Sequence, residues 1–440
     1  MRQRTPATAA TALALTLLAT ACGGAGEVED GAAADLDVST GVTDDSVVIG
    51  THMPLTGPAA PGYSQIPVGA GAVFDYVNAN GGVHGRTIDY RVEDDAYDPT
   101  RTIEVTRDLV LSDEVFAMLG GLGTPTHSKV IDYLNDEGVP DLFVSSGALM
   151  WNQPETYPLS YGYQVDYTKE AKIQGAYIAE HFPDAKVGYF HQNDDVGVDS
   201  QAGLDQYLAD QVVAVESYES GVTDIGPQIA ALERAGADLV VCSCVPTYTA
   251  LALLEAAGIG YEAQFVASSI GADTATLEAL LGEFAEEAGA DVPPDALIDG
   301  LISTGYLPQV GTDDAWVELY TAIYEEYGGE APLTNTTLYG MVQATLFVQV
   351  LEAAGQDLTR QSLIDALGSR EWAGPGLVPF VASEDDHSGY TGAYVSQYRA
   401  GEQPETLQEP RVTDSEGGDI EEFEMERPEP QDIPLFAHEP

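Results

Sequence analysis

Short apolar runs alternate with amphipathic helical stretches along most of this 440-residue chain. That alternation restricts the chain to folds in which parallel strands are covered on both faces by helices. Val47 to Gly50 reads as a strand, Val68 to Asn78 as a helix, Ile88 to Val92 as a strand, Ile103 to Leu111 as a helix and Val115 to Leu119 as a strand. After Tyr167 the series begins again, with helix Lys172 to Phe182, strand Val187 to His191, helix Gln201 to Ala209 and strand Val212 to Glu216. Helix Ile225 to Ala235, strand Leu239 to Cys244, helix Tyr248 to Ala257 and strand Gln264 to Ala267 complete it. Two series predict two lobes. Helical stretches near Asp314 to Tyr327, Thr336 to Ala354 and Arg360 to Leu367, then a strand candidate at Tyr390 to Tyr398, predict that the chain returns to the first lobe and crosses between lobes several times.

Within this pattern the segment from Gly120 to Ala148 carries the most chemistry. Gly120, Gly121 and Gly123 allow a tight turn after the Val115 to Leu119 strand, and Thr124 and Pro125 are placed as N-cap and first residue of a helix. Val130, Ile131 and Leu134 give that helix an apolar face, and Leu142 to Val144 forms the next buried strand, ending at Ser145, Ser146 and Gly147. Two strand ends thus present hydroxyls and backbone N–H groups to one crevice beyond the carboxyl edge of a parallel sheet, where ligands bind and where a helix N-terminus favours an anion. Asp94 and Asp95, after a strand and before an Asp-Pro pair, are expected to cap and shape a turn, and His127 is expected to be an exposed helical histidine.

Sixteen basic residues against 72 acidic ones give a formal net charge of −56. Nucleic acid is excluded as a partner, and self-repulsion of this size points to a salty habitat in which ions screen it. Arg2 and Arg4, an apolar segment from about Ala9 to Leu18, and small residues before Cys22 form a signal peptide with a lipobox, so a lipid on Cys22 is expected to anchor the chain to the membrane. The apolar segment is far short of the ~20 residues that span a bilayer. Cys242 and Cys244 share one strand face with a single residue between them, and are expected to be buried free thiols. No GxSxG elbow, HExxH helix, P-loop or GxGxxG turn appears, so neither an enzyme nor a cofactor or metal site is expected.

The motifs VVIGTHMPLTGPAA, NANGGVHGRTI, DDAYDPTRT, GGLGTPT, DEGVPDLFVSSGA and HQNDDVG, in this order behind a lipobox, resemble the branched-chain amino acid type of ABC-transporter substrate-binding protein, with the leucine-binding-protein fold. The resemblance implies an α/β, type I periplasmic binding protein: two Rossmann-like lobes with parallel sheets, joined by a three-segment hinge and closing on a small solute for a membrane permease and its ATPase. The organisation it suggests is a signal peptide at about 1–21, a flexible tether at about 22–43, a first lobe at about 44–166 plus 301–380, a second lobe at about 167–300 plus 381–401, and an acidic Pro/Glu-rich disordered tail at about 402–440.

By position, the resemblance gives Thr124 the role of the hydroxyl that holds a ligand carboxylate, and Ser145, Ser146, Gly147 and Ala148 the turn that completes this grip. Tyr63, or its neighbour Gly62, falls where a first-lobe aromatic covers the ligand, and Tyr167 lies at the crossing into the second lobe. The second-lobe acid that holds an ammonium group falls at Ser269, and an aromatic before the glycine of NDDVG is Val196. The missing acid argues against an ordinary α-amino acid, because an unpaired ammonium in a closed cleft costs several kcal/mol; Asp194, Asp195 or Asp273 can supply it if the alignment slips by a turn. The expected solute is therefore an amino acid, an amide or a carboxylate. A sensing receptor of the same fold and a surface amidase are the rival readings, separated by a signalling partner in one case and by turnover in the other.

Overall fold

The computed structural model describes residues 35–288, 293–372 and 374–438. The expected signal peptide, Cys22 and most of the tether lie outside these residues. Strands β1 (Ser46–Met53), β2 (Thr87–Asp94), β3 (Ala117–Leu119), β4 (Asp141–Val144) and β5 (Ser160–Gly162) form a wholly parallel sheet in the order β2-β1-β3-β4-β5. β3 and β4 are buried at every position, as the continuous apolar runs of a sheet covered on both faces require. Helices Ile66–Ala79 and Asn335–Ala354 pack on one face, and Pro99–Leu111 on the other, with the Asp98 carboxylate capping the N-terminus of the last. Arg360, from the returning chain, donates to the main-chain carbonyls of Val115, Phe116 and Gly138 at 2.9–3.0 Å and so fixes the entry to β3.

The second sheet contains β6 (Val187–Gln192), β7 (Val212–Tyr218), β8 (Leu239–Ser243), β9 (Gln264–Ala267) and β10 (Ile302–Gly305), parallel to one another in the order β10-β9-β8-β6-β7. A small pair, β11 (Phe380–Val381) and β12 (Gly389–Tyr390), sits on the first-lobe core. β13 (Gly392–Gln397), β14 (Glu405–Val412) and β15 (Glu421–Glu422) then extend the second sheet by antiparallel pairing beside β10. The return to the first lobe begins after Gly305, because Ile302 to Gly305 still pairs within the second sheet.

Three expectations change here. The acidic tail does not run free: β14 and β15 pair in the second sheet, and Ile433 and Phe436 then join the first-lobe core. The chain therefore crosses between the lobes four times, near Tyr163 to Asp166, near Tyr306, near Thr391, and between Phe423 and Pro430. The end of the expected tether is also docked, since the Leu36 and Val38 carbonyls accept from Gln361 and Arg360 N–H at 2.9 and 3.0 Å. Finally, Cys242 and Cys244 are joined in a disulfide with Cα atoms 5.4 Å apart, not free thiols. The chain leaves β8 between them, and that spacing falls in the range a disulfide bridges.

Candidate functional site

A cavity of about 140 Å³ lies between the lobes, room for roughly ten water-sized groups. On the first-lobe side the turn after β3 presents Leu122, Gly123 and Thr124, and Ser145 follows the last residue of β4. Gly123 has φ +106°, and a Cβ there would come within 2.5 Å of the Tyr97 ring, so only glycine lets this turn run against the wall. Thr124 is the first residue of a one-turn helix, not its cap. Its hydroxyl lies 2.7 Å from Ser146 Oγ and 3.3 Å from Tyr167 OH, which joins the two strand ends to the start of the second lobe. Ser145 Oγ accepts from Gln343 Nε2 at 3.1 Å.

Of the residues singled out in the sequence, Tyr63, Thr124, Ser145, Tyr167 and Ser269 share this wall. Ser146, Gly147 and Ala148 lie behind it: Ser146 Oγ accepts from Ala148 N–H at 3.3 Å, and Gly147 O accepts from Tyr167 N–H at 2.8 Å, so they brace the turn. Val196 is on the wall too. The residues that sequence reasoning missed come mainly from the crossings. Gln164, Thr304, Tyr306, Thr336 and Tyr339 all line the cavity. The signal for Gln164, Thr304 and Tyr306 was position beside a predicted crossing, whereas Thr336 and Tyr339 lie in the first turns of the helix Asn335–Ala354, away from any crossing.

The second-lobe wall does hold an acid. Asp273 lines the cavity; its Oδ2 accepts from Thr276 Oγ1 at 2.9 Å and, across the cleft, from Thr336 Oγ1 at 2.8 Å, while its Oδ1 is buried with no partner. Behind Ser269 and Thr304 sits Glu170, only 1% exposed, whose Oε1 accepts from Ser269 N–H at 2.6 Å and from the Thr304 hydroxyl. Burial pushes the Glu170 carboxyl above its ordinary value, against the pull of those hydrogen bonds. Burial likewise raises the wall tyrosines, Tyr167 and Tyr394 to about 12, so they act as neutral hydroxyls. Further contacts join the lobes across the cleft: Tyr63 OH donates to Ile270 O at 2.6 Å, Gln192 Nε2 to Tyr97 OH at 3.3 Å, Thr247 Oγ1 to Pro58 O at 2.8 Å, and Leu149 N–H to Asp199 Oδ2 at 2.9 Å.

Directly behind the glycine turn runs a chain of four side chains with no solvent exposure. Asp95 Oδ2 lies 2.8 Å from His52 Nδ1, His52 Nε2 lies 2.8 Å from His127 Nδ1, and His127 Nε2 lies 2.8 Å from Asp141 Oδ2. His127 is thus fully buried, contrary to the expectation of an exposed histidine, and Asp95 does more than shape its turn. Asp94 does shape it, accepting from the N–H groups of Leu55, Thr56 and Ala96. Each of the three histidine links needs one proton, and two carboxylates with two neutral imidazoles supply only two. The chain therefore holds one proton more. Burial pushes His52 below its ordinary value, although the Asp95 hydrogen bond opposes this. A Cβ at Gly121 would come within 2.5 Å of His127 Nδ1 and 2.8 Å of His52 Nε2, so the turn that carries Thr124 rests on the histidine pair.

Two lobes of α/β structure, several chain crossings and a cavity between facing strand ends define a binding protein of the periplasmic type. The sequence profile of the periplasmic binding protein family matches residues 46–403, and this chain belongs to that family. It is 26% identical over 322 residues to the Leu/Ile/Val-binding protein homolog 1 of Brucella abortus (strain 2308), covering 71% of this chain and 79% of the relative. Its fold matches a branched-chain amino acid ABC transporter protein from Thermus thermophilus with bound valine, at TM-score 0.72 and 17% identity, over 85% of this chain and 98% of the other. It also matches a fatty acid ABC transporter substrate-binding protein from Thermomonospora curvata at TM-score 0.71 and 20% identity, over 86% and 95%. These relatives are named as binding or transporter proteins, and the family is described as periplasmic. Among the described residues, no helix is long and apolar enough to cross a membrane.

Proposed function

We propose that this chain is the substrate-binding component of an ABC importer, which captures a small organic solute between its lobes by closure and presents it to a permease and its ATPase. A lipid on Cys22 would hold it at the outer face of the cell membrane. The observation that carries the reading is the interlobe cavity, about 140 Å³, walled by hydroxyls from first-lobe strand ends and by Ser269, Asp273 and Thr304 from the second. Gln164 Nε2 and Asp273 Oδ1 on that wall are buried without partners. Such groups are costly unless a ligand bonds them. The Asp273 carboxylate removes the objection to an amino group that Ser269 raised.

In this scheme Thr124 and Ser145 receive the polar end of the solute, Tyr63 and Tyr167 cover it, and Ser269 meets it from the second lobe. Ser146, Gly147 and Ala148 hold the turn in place. Closure is driven by differential contacts, since the interlobe hydrogen bonds and the ligand together favour the closed over the open arrangement. Small-angle scattering with and without a thermal-shift hit tests this: the radius of gyration should fall on saturation. A ligand that binds with no compaction would remove closure from the account.

A further inference from the structure

The cavity wall is electrically one-sided. Among the described residues that line it there is no Lys, Arg or His, and Asp273 is the one Asp or Glu. Two hydroxyls, Thr276 and Thr336, pin its Oδ2, leaving the buried Oδ1 unpartnered. Glu170 lies directly behind Ser269 and Thr304, so a second buried carboxyl backs the same wall. Tyr63, Tyr97, Tyr167, Tyr306, Tyr339 and Tyr394 also line the space.

The opposite end carries no positive charge. The hydroxyls of Thr124, Ser146 and Tyr167 bond one another, and Ser145 Oγ accepts from Gln343 Nε2, which leaves the Ser145 O–H to donate to a neutral or charged acceptor alike. The buried Nε2 of Gln164, a residue 5% exposed, has no partner there, and a neutral carbonyl satisfies it as well as a carboxylate does.

Resting on the receptor reading above, we propose that the solute is an organic cation: a protonated amine held at Asp273 Oδ1, with a neutral hydrogen-bond acceptor at Gln164 and no required carboxylate. An unpaired carboxylate enclosed by closing lobes disfavours the closed state, and an ammonium group removes that penalty. A net anion meets only repulsion from Asp273 and finds no positive side chain on the wall.

Four probes on one carbon skeleton test this by calorimetry: L-leucinamide, L-leucine, 4-methylpentanamide and 4-methylpentanoate. L-leucinamide should bind at least as tightly as L-leucine, and 4-methylpentanoate roughly ten- to a hundredfold more weakly than either, the range expected for a charge-assisted hydrogen bond. Asp273→Asn, which retains an oxygen for both threonine hydroxyls, should weaken L-leucinamide by a similar factor and bind 4-methylpentanamide at least as tightly as the wild type does, since no carboxylate is then enclosed unpaired. Tighter binding of 4-methylpentanoate, or of L-leucine with none of the amide, overturns the proposal. Should Asp273→Asn fail to fold, the ranking of the four probes on the wild-type chain still decides. If none of the four binds, the proposal falls; a wider panel of sugars, neutral amides and acids then separates the two readings, since a nitrogen-free ligand spares the receptor reading and no ligand at all sinks both.

Discussion

Thr124 shares its hydroxyl between Ser146 and Tyr167, and a ligand at the first-lobe strand ends would compete for the same hydrogen. Thr124→Ala should weaken the bound solute by roughly 1–3 kcal/mol if that bond is made to a polar group in the closed cleft. Unchanged affinity in calorimetry would remove Thr124 from the site. His127 is a sharper case, because both its ring nitrogens are engaged where nothing is exposed. His127→Leu leaves Asp141 buried with only the Ser160 hydroxyl on Oδ2, and should destabilise the fold by about 3–5 kcal/mol in urea. A loss below about 1 kcal/mol would mean that water or a rearranged partner takes its place. Nitrogen-15 spectra of labelled histidine should further find three protons on the chain from Asp95 to Asp141. Asp199 gives the pH dependence. Burial, reinforced by Asp195, Asp166 and Asp194, raises its carboxyl to about 6, although the Leu149 N–H lowers it. Because this value lies above the unfolded one, folding favours the protonated form, and stability is lost as pH rises from about 4 through 6. Asp199→Asn keeps an acceptor for Leu149, so its melting temperature should match wild type near pH 4 and exceed it at pH 7. A difference independent of pH would refute the assignment.

At the scale of elements, the C-terminal segment changes the picture most. β14 lies on β13, Lys172 Nζ bonds Asp414 and the carbonyls of Asp414 and Gly418, and Phe436 stacks on Tyr76 with ring centres 6.1 Å apart. The Trp316 indole donates to Pro428 O at 2.9 Å, and Arg427 pairs with Asp314. Phe436 is 2% exposed, so Phe436→Ala should cost about 3–5 kcal/mol, measured by denaturant unfolding. A free tail would show no change. None of this was legible in the sequence, since ETLQEPRV is half-exposed and polar, and its strand exists because β13 offers it an edge. By contrast β6, read as Val187 to His191, is Val187–Gln192, because a continuously buried apolar run leaves one solution in a doubly covered sheet. The site was legible in the same uneven way. Thr124 and Ser145 stand at the ends of such strands, whereas the histidine chain joins positions 52, 95, 127 and 141 and has no local signature.

On the scale of the whole molecule, four crossings connect the lobes where three were expected. The crossing between Phe423 and Pro430 ends on the core beneath helix Ile66–Ala79, tying the outer edge of the second sheet to the first lobe. Any closing motion must flex this strap as well as the hinge. The lobes meet through Tyr63, Tyr97, Thr336 and Leu149, each bonded to the opposite side, and the first three also line the cavity. The central claim is that this cavity is where one small solute is held. Native mass spectrometry of the chain, incubated with a pool of small amines, amides and acids, tests it most directly when run beside Ala272→Trp, a wall substitution that fills the space. The account predicts one solute per wild-type chain and none on the variant, whereas a solute retained equally by both, or none on either, would contradict it.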